Sequence, residues 1–79
     1  MIELKKEMFH IKSRIDGYTI YVMDKKFTEY KGKPIHVDHY RNMAIRQIEN
    51  YINKGLAPSI KDKFERVLGQ PIKHKRLEQ

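Results

Sequence analysis

The chain has 79 residues, with 17 lysines and arginines against 10 aspartates and glutamates, a net charge of +7 and an isoelectric point near 9.7. That length admits one domain, able to bury about 60–65% of the surface its unfolded form would expose. There is no cysteine, which excludes disulfides and thiolate metal sites, and no apolar run approaches the length of a membrane span or a secretory signal.

The stretch FHIKSRIDGYTIYVMD, residues 9–24, reads as two extended runs folded about an Asp16-Gly17 loop, the strongest short hairpin signal. In that register Ile15 sits opposite Tyr18, Ser13 opposite Ile20, Ile11 opposite Val22 and Phe9 opposite Asp24. Period-two alternation then gathers Phe9, Ile11, Ile15, Tyr18, Ile20 and Val22 on an oily face, with Ser13 its polar member. The other face carries His10, Lys12 and Arg14 beside Thr19, Tyr21 and Met23. The preceding MIELKKE either extends the first strand or frays.

Residues 25–37 read as two short strands, Phe27–Tyr30 and Ile35–Val37, about a Lys31-Gly32 turn, with Pro34 at an edge because it cannot donate to a ladder. A helix follows over residues 38–54, where Tyr40, Ala44, Ile48, Tyr51 and Ile52 recur at three- and four-residue spacing with Ile45 alongside. Asp38 suits its N-cap and Lys54-Gly55 its stop. Arg41 interrupts the apolar stripe, its stem lying over the core edge with its head in water. A second helix is expected over 59–68, capped by Ser59 with Asp62, carrying Ile60, Phe64, Val67 and Leu68, and ended by Gly69 and Pro71. Tyr18, Tyr40 and Tyr51 belong to the core margin with their hydroxyls in water.

These elements assemble as an α+β domain over residues 1–70: a small antiparallel sheet, made of the N-terminal hairpin and one or two short strands, covered on one face by a C-terminal pair of helices. Residues 71–79 form a basic tail, flexible unless Ile72 and Leu77 find a groove.

Four sites compete for a function. The uncovered sheet face, His10, Lys12, Arg14 and Tyr21, joins cations that neutralise phosphates to a ring that stacks on bases. The tail residues Lys73, Lys75 and Arg76 extend that basic surface, as Lys25, Lys26, Lys31 and Lys33 do from the loops. His36, Asp38 and His39, with His10 or His74, are competent metal ligands. Val37-Asp38-His39 resembles, over those three residues, the Asp-His pair of the HNH nucleases. That resemblance would imply a strand-borne asparagine and a helix-borne histidine, whereas here a helix pattern starts at once, Asn53 lies at its far end and His74 falls in the tail. Finally, His39, Arg46, Asn50 and Asn53 share the outer face of the first helix and include base-reading side chains, yet a helix-turn-helix needs a third helix that the hairpin leaves no length for.

The expectation is therefore a non-enzymatic, cytoplasmic, basic domain that binds DNA or RNA through the open sheet face and the tail. It calls for no cofactor, no metal, no membrane and no small-molecule substrate. The alternative is a protein-interaction module, a small accessory or inhibitory protein without nucleic-acid contact, engaging its partner through Tyr21 and Met23 or a free edge strand.

Overall fold

The computed structural model describes residues 2–73 and is α+β, with a three-stranded antiparallel sheet and two helices. In chain order come β1 (Ile2–Glu3), a 3-10 turn (Lys6–Met8), β2 (Phe9–Arg14), β3 (Gly17–Val22), β4 (Lys25–Lys31), α1 (Val37–Asn53), α2 (Pro58–Leu68) and β5 (Ile72–Lys73). The sheet order is β2-β3-β4, and β1 pairs in parallel with β5 as a separate two-stranded piece.

The hairpin register differs from the expected one by two residues. Phe9 faces Val22, Ile11 faces Ile20 and Arg14 faces Gly17, so the loop is Ile15-Asp16 and Gly17 belongs to β3. This register sets apolar residues against apolar ones, where an Asp16-Gly17 loop would have left Ile20 on Ser13 and Phe9 on Asp24. Gly17 is required inside the strand because a Cβ there would collide with the Tyr30 carbonyl oxygen of β4. A shift of two keeps the parity of every paired side chain. Ile11 remains against the core and Lys12 is exposed, whereas Ile15, expected inside, is ejected into the loop at 63% exposure.

β3 and β4 are joined at Met23-Asp24, both with positive φ (50° and 66°). A two-residue hairpin turn with both centres left-handed has the twist that suits antiparallel strands, but it favours Asn-Gly rather than Met-Asp. The β3–β4 ladder then slips between Ile20 and Tyr21, since Ile20 faces Thr28 while Tyr21 faces Lys26, leaving Phe27 as the bulged residue. Ile35–Val37, expected as a strand, is not one: Val37 opens α1 and residues 32–36 are a loop. Backbone bonds from Gly32 N–H to the Asp16 oxygen and from Ile35 N–H to the Ile15 oxygen, both 2.8 Å, tie that loop to the hairpin turn.

His36, not Asp38, caps α1, its Nδ1 accepting the Asp38 backbone N–H at 3.2 Å, while Asp38 lies in the first turn near the positive dipole end. Nor does Ser59 cap α2: Ala57 is the cap residue and Pro58 opens the helix, where its missing N–H costs nothing. Gly69, at φ 73°, closes α2 in the left-handed conformation and donates to the Glu65 carbonyl.

α1 packs against β2 and β3, and α2 against β4 and β5. The core comprises Leu4, Phe9, Tyr18, Ile20, Val22, Phe27, Tyr40, Ala44, Ile48, Leu56, Phe64 and Ile72. Phe64 is its hub: fully buried, it stacks on Phe27 (centroids 3.9 Å apart) and meets Phe9 and Tyr51 edge-on at 6.0 and 5.3 Å. The margin tyrosines do not send their hydroxyls into water as expected. Tyr18 donates to Gln47, which in turn donates to Tyr51, and Tyr40 donates to the Lys33 carbonyl. Burial pushes the phenol pKa of all three upward.

Phe64→Ala should cost about 3–5 kcal/mol, a large part of the roughly 4–12 kcal/mol available to a chain this short. Ile48→Asp should abolish the cooperative thermal transition in circular dichroism, because it places an unpaired charge at a site only 4% exposed. Replacing Met23-Asp24 by Asn-Gly should act oppositely, raising stability by about 1 kcal/mol in urea denaturation by relieving left-handed strain.

Candidate nucleic-acid interface

Alternation along β2 and β3 sends His10, Lys12, Arg14, Thr19 and Tyr21 to the sheet face away from the core cluster. The bulge at Phe27 changes the parity of β4, so Lys26, Glu29 and Lys31 join them, Lys26 opposite Tyr21, Glu29 opposite Thr19 and Lys31 opposite Gly17. His10 pairs across the strands with Tyr21, and Lys12 with Thr19.

The face divides into two regions. At the hairpin-turn corner, Arg14 donates through Nη1 to Thr19 Oγ1 (3.0 Å) and through Nη2 to Glu29 Oε2 (3.1 Å), with its Nε 3.5 Å from Asp16 Oδ1. Lys26 Nζ donates to the other Glu29 oxygen at 3.2 Å, and Thr19 Oγ1 lies 3.4 Å from Glu29 Oε2. Thr19 is thereby buried to 3% exposure on the face away from the core cluster, roofed by the guanidinium and carboxylate that cross it. Exposed pairs of this kind contribute only about 0–1 kcal/mol each, but the joint bonding holds Arg14 in one geometry across three strands. Glu29 feels every cation nearby. The hydrogen bond from Lys26, and then the charges of Lys26, Lys31 and Arg14, hold its carboxyl below the ordinary glutamate value against an opposing desolvation effect.

The second region is open. His10 and Lys12 are exposed and Tyr21 half-buried, and none makes an ion pair or side-chain hydrogen bond among the described residues. Chemically it offers one cation, one titratable ring and one phenol ring.

The structure thus brings His10, Lys12, Arg14 and Tyr21 onto one face, but commits Arg14 to carboxylates. Lys73 is exposed on β5, part of the two-stranded piece and not of this face, while Lys75 and Arg76 lie outside the described residues. Ile72 has found its groove, at 2% exposure and paired with Ile2; Leu77 lies outside the described residues. Sequence reasoning took Lys26 and Lys31 for loop charges beside the face, where they are strand residues of β4 on it, and missed Glu29. The available signal was the three-residue spacing of Phe27 and Tyr30, which no unbroken period of two can place on one side.

His36 and Asp38 are occupied with the start of α1, His36 Nδ1 lying 3.6 Å from Asp38 Oδ2. His39 sets its ring edge-on to Tyr40 at 5.9 Å. Among the described residues no three potential ligands gather as a metal site would need, and His74 is outside them. The stretch resembling the HNH core is helical from Val37, so no strand carries it. The outer residues of α1, His39, Arg46, Asn50 and Asn53, are all exposed. No helix among the described residues is long and apolar enough to cross a membrane. No protein-family model, curated protein or solved structure matches the chain.

Because Glu29 is held low by its neighbours, the stability it contributes is present above the unfolded glutamate pKa, about 4.3, and lost as pH falls through its lower folded value. Lys26→Ala should therefore raise the Glu29 pKa in a carboxyl-carbon NMR titration and shrink that contribution, so that its loss is complete at a higher pH, while Lys12→Ala should leave both in place.

Proposed function

We propose that this protein is a small, non-enzymatic, cytoplasmic domain that binds nucleic acid through the uncovered face of its sheet, with the two helices serving as cover for the opposite face. The observation that supports this reading is the open region of β2 and β3, where Lys12 offers an unpaired charge to a phosphate and Tyr21 and His10 offer adjoining rings. Electrostatic attraction to the backbone comes first and is independent of base sequence. Ring contacts then hold bases or sugars, as on single-strand platforms. Arg14 serves as a brace for the face rather than as its leading phosphate contact, and Lys26 and Lys31 enlarge the positive field beside it. Lys73 and the tail residues Lys75 and Arg76 add positive charge of the same kind.

A second reading, the protein-interaction module, is favoured by one observation. Ile15 and Ile35 are 63% and 39% exposed and are joined by a backbone hydrogen bond, so two aliphatic side chains are presented at one end of the molecule.

Fluorescence-anisotropy titrations with generic single- and double-stranded oligonucleotides at several salt concentrations discriminate the two. The nucleic-acid reading expects affinity to fall steeply with salt, with a log–log slope of about −0.9 per phosphate neutralised on duplex and −0.7 on single strands. Lys12→Ala should flatten that slope by about one phosphate equivalent, and Tyr21→Ala should weaken binding by about 1–3 kcal/mol with the slope unchanged. Indifference to every oligonucleotide at low salt would transfer the assignment to the protein-interaction reading.

A further inference from the structure

A groove of about 290 Å³ runs beside β2, between that strand and α1, lined by Lys6, Phe9, Ile11, Arg41, Ile45 and Ile48. Phe9 and Ile48 form a buried floor, Ile11 and Ile45 are half-buried walls, and the two cations stand exposed at the rim. Neither Lys6 nor Arg41 has a carboxylate partner among the described residues. Arg41, which interrupts the apolar stripe of α1, is thereby placed at the edge of an apolar depression.

The same groove borders an unused sheet edge. β2 is the outermost strand of its sheet among the described residues. Met23 N–H donates to the Met8 oxygen, so Met8 and Met23 are a bonded pair. Alternation of bonded and non-bonded pairs along an antiparallel ladder then makes His10–Tyr21 and Lys12–Thr19 bonded pairs as well. The amides of Ile11 and Ser13 are left turned toward the open edge, while the Phe9 N–H there is already taken by the Lys6 carbonyl.

The geometry points to a docking site for an extended, acidic segment of a partner protein with alternating apolar residues, which adds as a strand to β2. Its backbone would pair with Ile11 and Ser13, its apolar side chains would enter the groove, and its carboxylates would meet Lys6 and Arg41. Charge complementarity selects acid, because the rim is cationic on both sides of an apolar floor. The groove has room for one or two apolar side chains, which a strand added at the neighbouring edge supplies from alternate positions. The inference does not depend on the nucleic-acid reading, since it uses the edge and rim of β2 and none of Lys12, Arg14 or Tyr21.

The test uses the full chain, isotope-labelled, and a synthetic peptide alternating leucine and aspartate, followed by NMR shifts and amide exchange. Binding should shift Ile11 and Ile45 and slow exchange at Ile11 and Ser13. Arg41→Glu and Lys6→Glu, at exposed side chains, should each weaken binding about tenfold, while the Lys12→Ala, Tyr21→Ala double variant should bind the peptide unchanged. The inference is overturned if the peptide fails to bind at millimolar concentration, or if a leucine–lysine peptide binds equally well. It is likewise overturned if decanoate shifts the groove methyls and the peptide gives no amide protection, which would make the groove a small amphiphile site instead.

Discussion

The contact on which this molecule depends is the insertion of Phe64 among Phe9, Phe27 and Tyr51. One side chain of α2 there touches β2, β4 and α1 together. A chain of this size without a cysteine has no covalent staple, so the rings must supply the long-range closure that a disulfide would otherwise provide. Aromatic pairs suit the task, because each buries a large area and its offset or edge-on geometry adds about 0.5–1.5 kcal/mol beyond burial. The short β1–β5 pairing follows from the same closure. Glu65, one residue from Phe64, accepts the Ile72 N–H at 3.0 Å, so the helix that seats the hub also positions the strand carrying Ile72.

Phe27 has a second role, which links packing to the candidate site. To reach Phe64 it must face the core, and Tyr30, which stacks on Tyr18 at 5.7 Å, must face it too. Two core-facing residues three apart cannot sit on an unbroken strand, and the bulge is the local solution. Its consequence on the far side is electrostatic: Glu29 is turned toward Arg14, and Lys26 lies close enough to bond it. The ionic network on the exposed face is thus a by-product of how β4 turns two aromatic rings, buried Phe27 and exposed Tyr30, toward the same side of the sheet.

Much of the α+β architecture was legible because it rests on periodicity. The inward set of β2 and β3 and the two helices differ from expectation by a residue or two at their ends. The differences arise where local signals and tertiary pairing disagree. Asp16-Gly17 is a strong turn signal, but Gly17 is needed against the Tyr30 carbonyl, and cross-strand matching of Phe9 with Val22 and Ile11 with Ile20 outweighs it. Met23-Asp24 carries no turn signal at all, and its left-handed backbone is imposed by the strands it joins. His36 displaces Asp38 as cap through a ring nitrogen, an acceptor that the usual list of capping side chains omits. Of the candidate site, His10, Lys12, Arg14 and Tyr21 could be placed by parity alone. The carboxylates that restrain Arg14 could not, since Asp16 and Glu29 reach it only through the two-residue register shift and the bulge.

That restraint changes what the face can do without removing its charge. Arg14, Lys26 and Lys31 surround Glu29, with Asp16 beside Arg14, so cations outnumber carboxylates even at the braced corner. The Arg14 guanidinium is already oriented by its bonds to Thr19 and Glu29, so an anion engaging it would cost less side-chain entropy than the ordering of a free arginine. The carboxylates keep like charges together on a small sheet, and any anion engaging the corner would have to compete with them. Lys12 has no such competitor among the described residues. The face therefore combines a charge without a carboxylate partner among the described residues with a braced one, a contrast that arises from the bulge and the hairpin register and from no feature of the net charge.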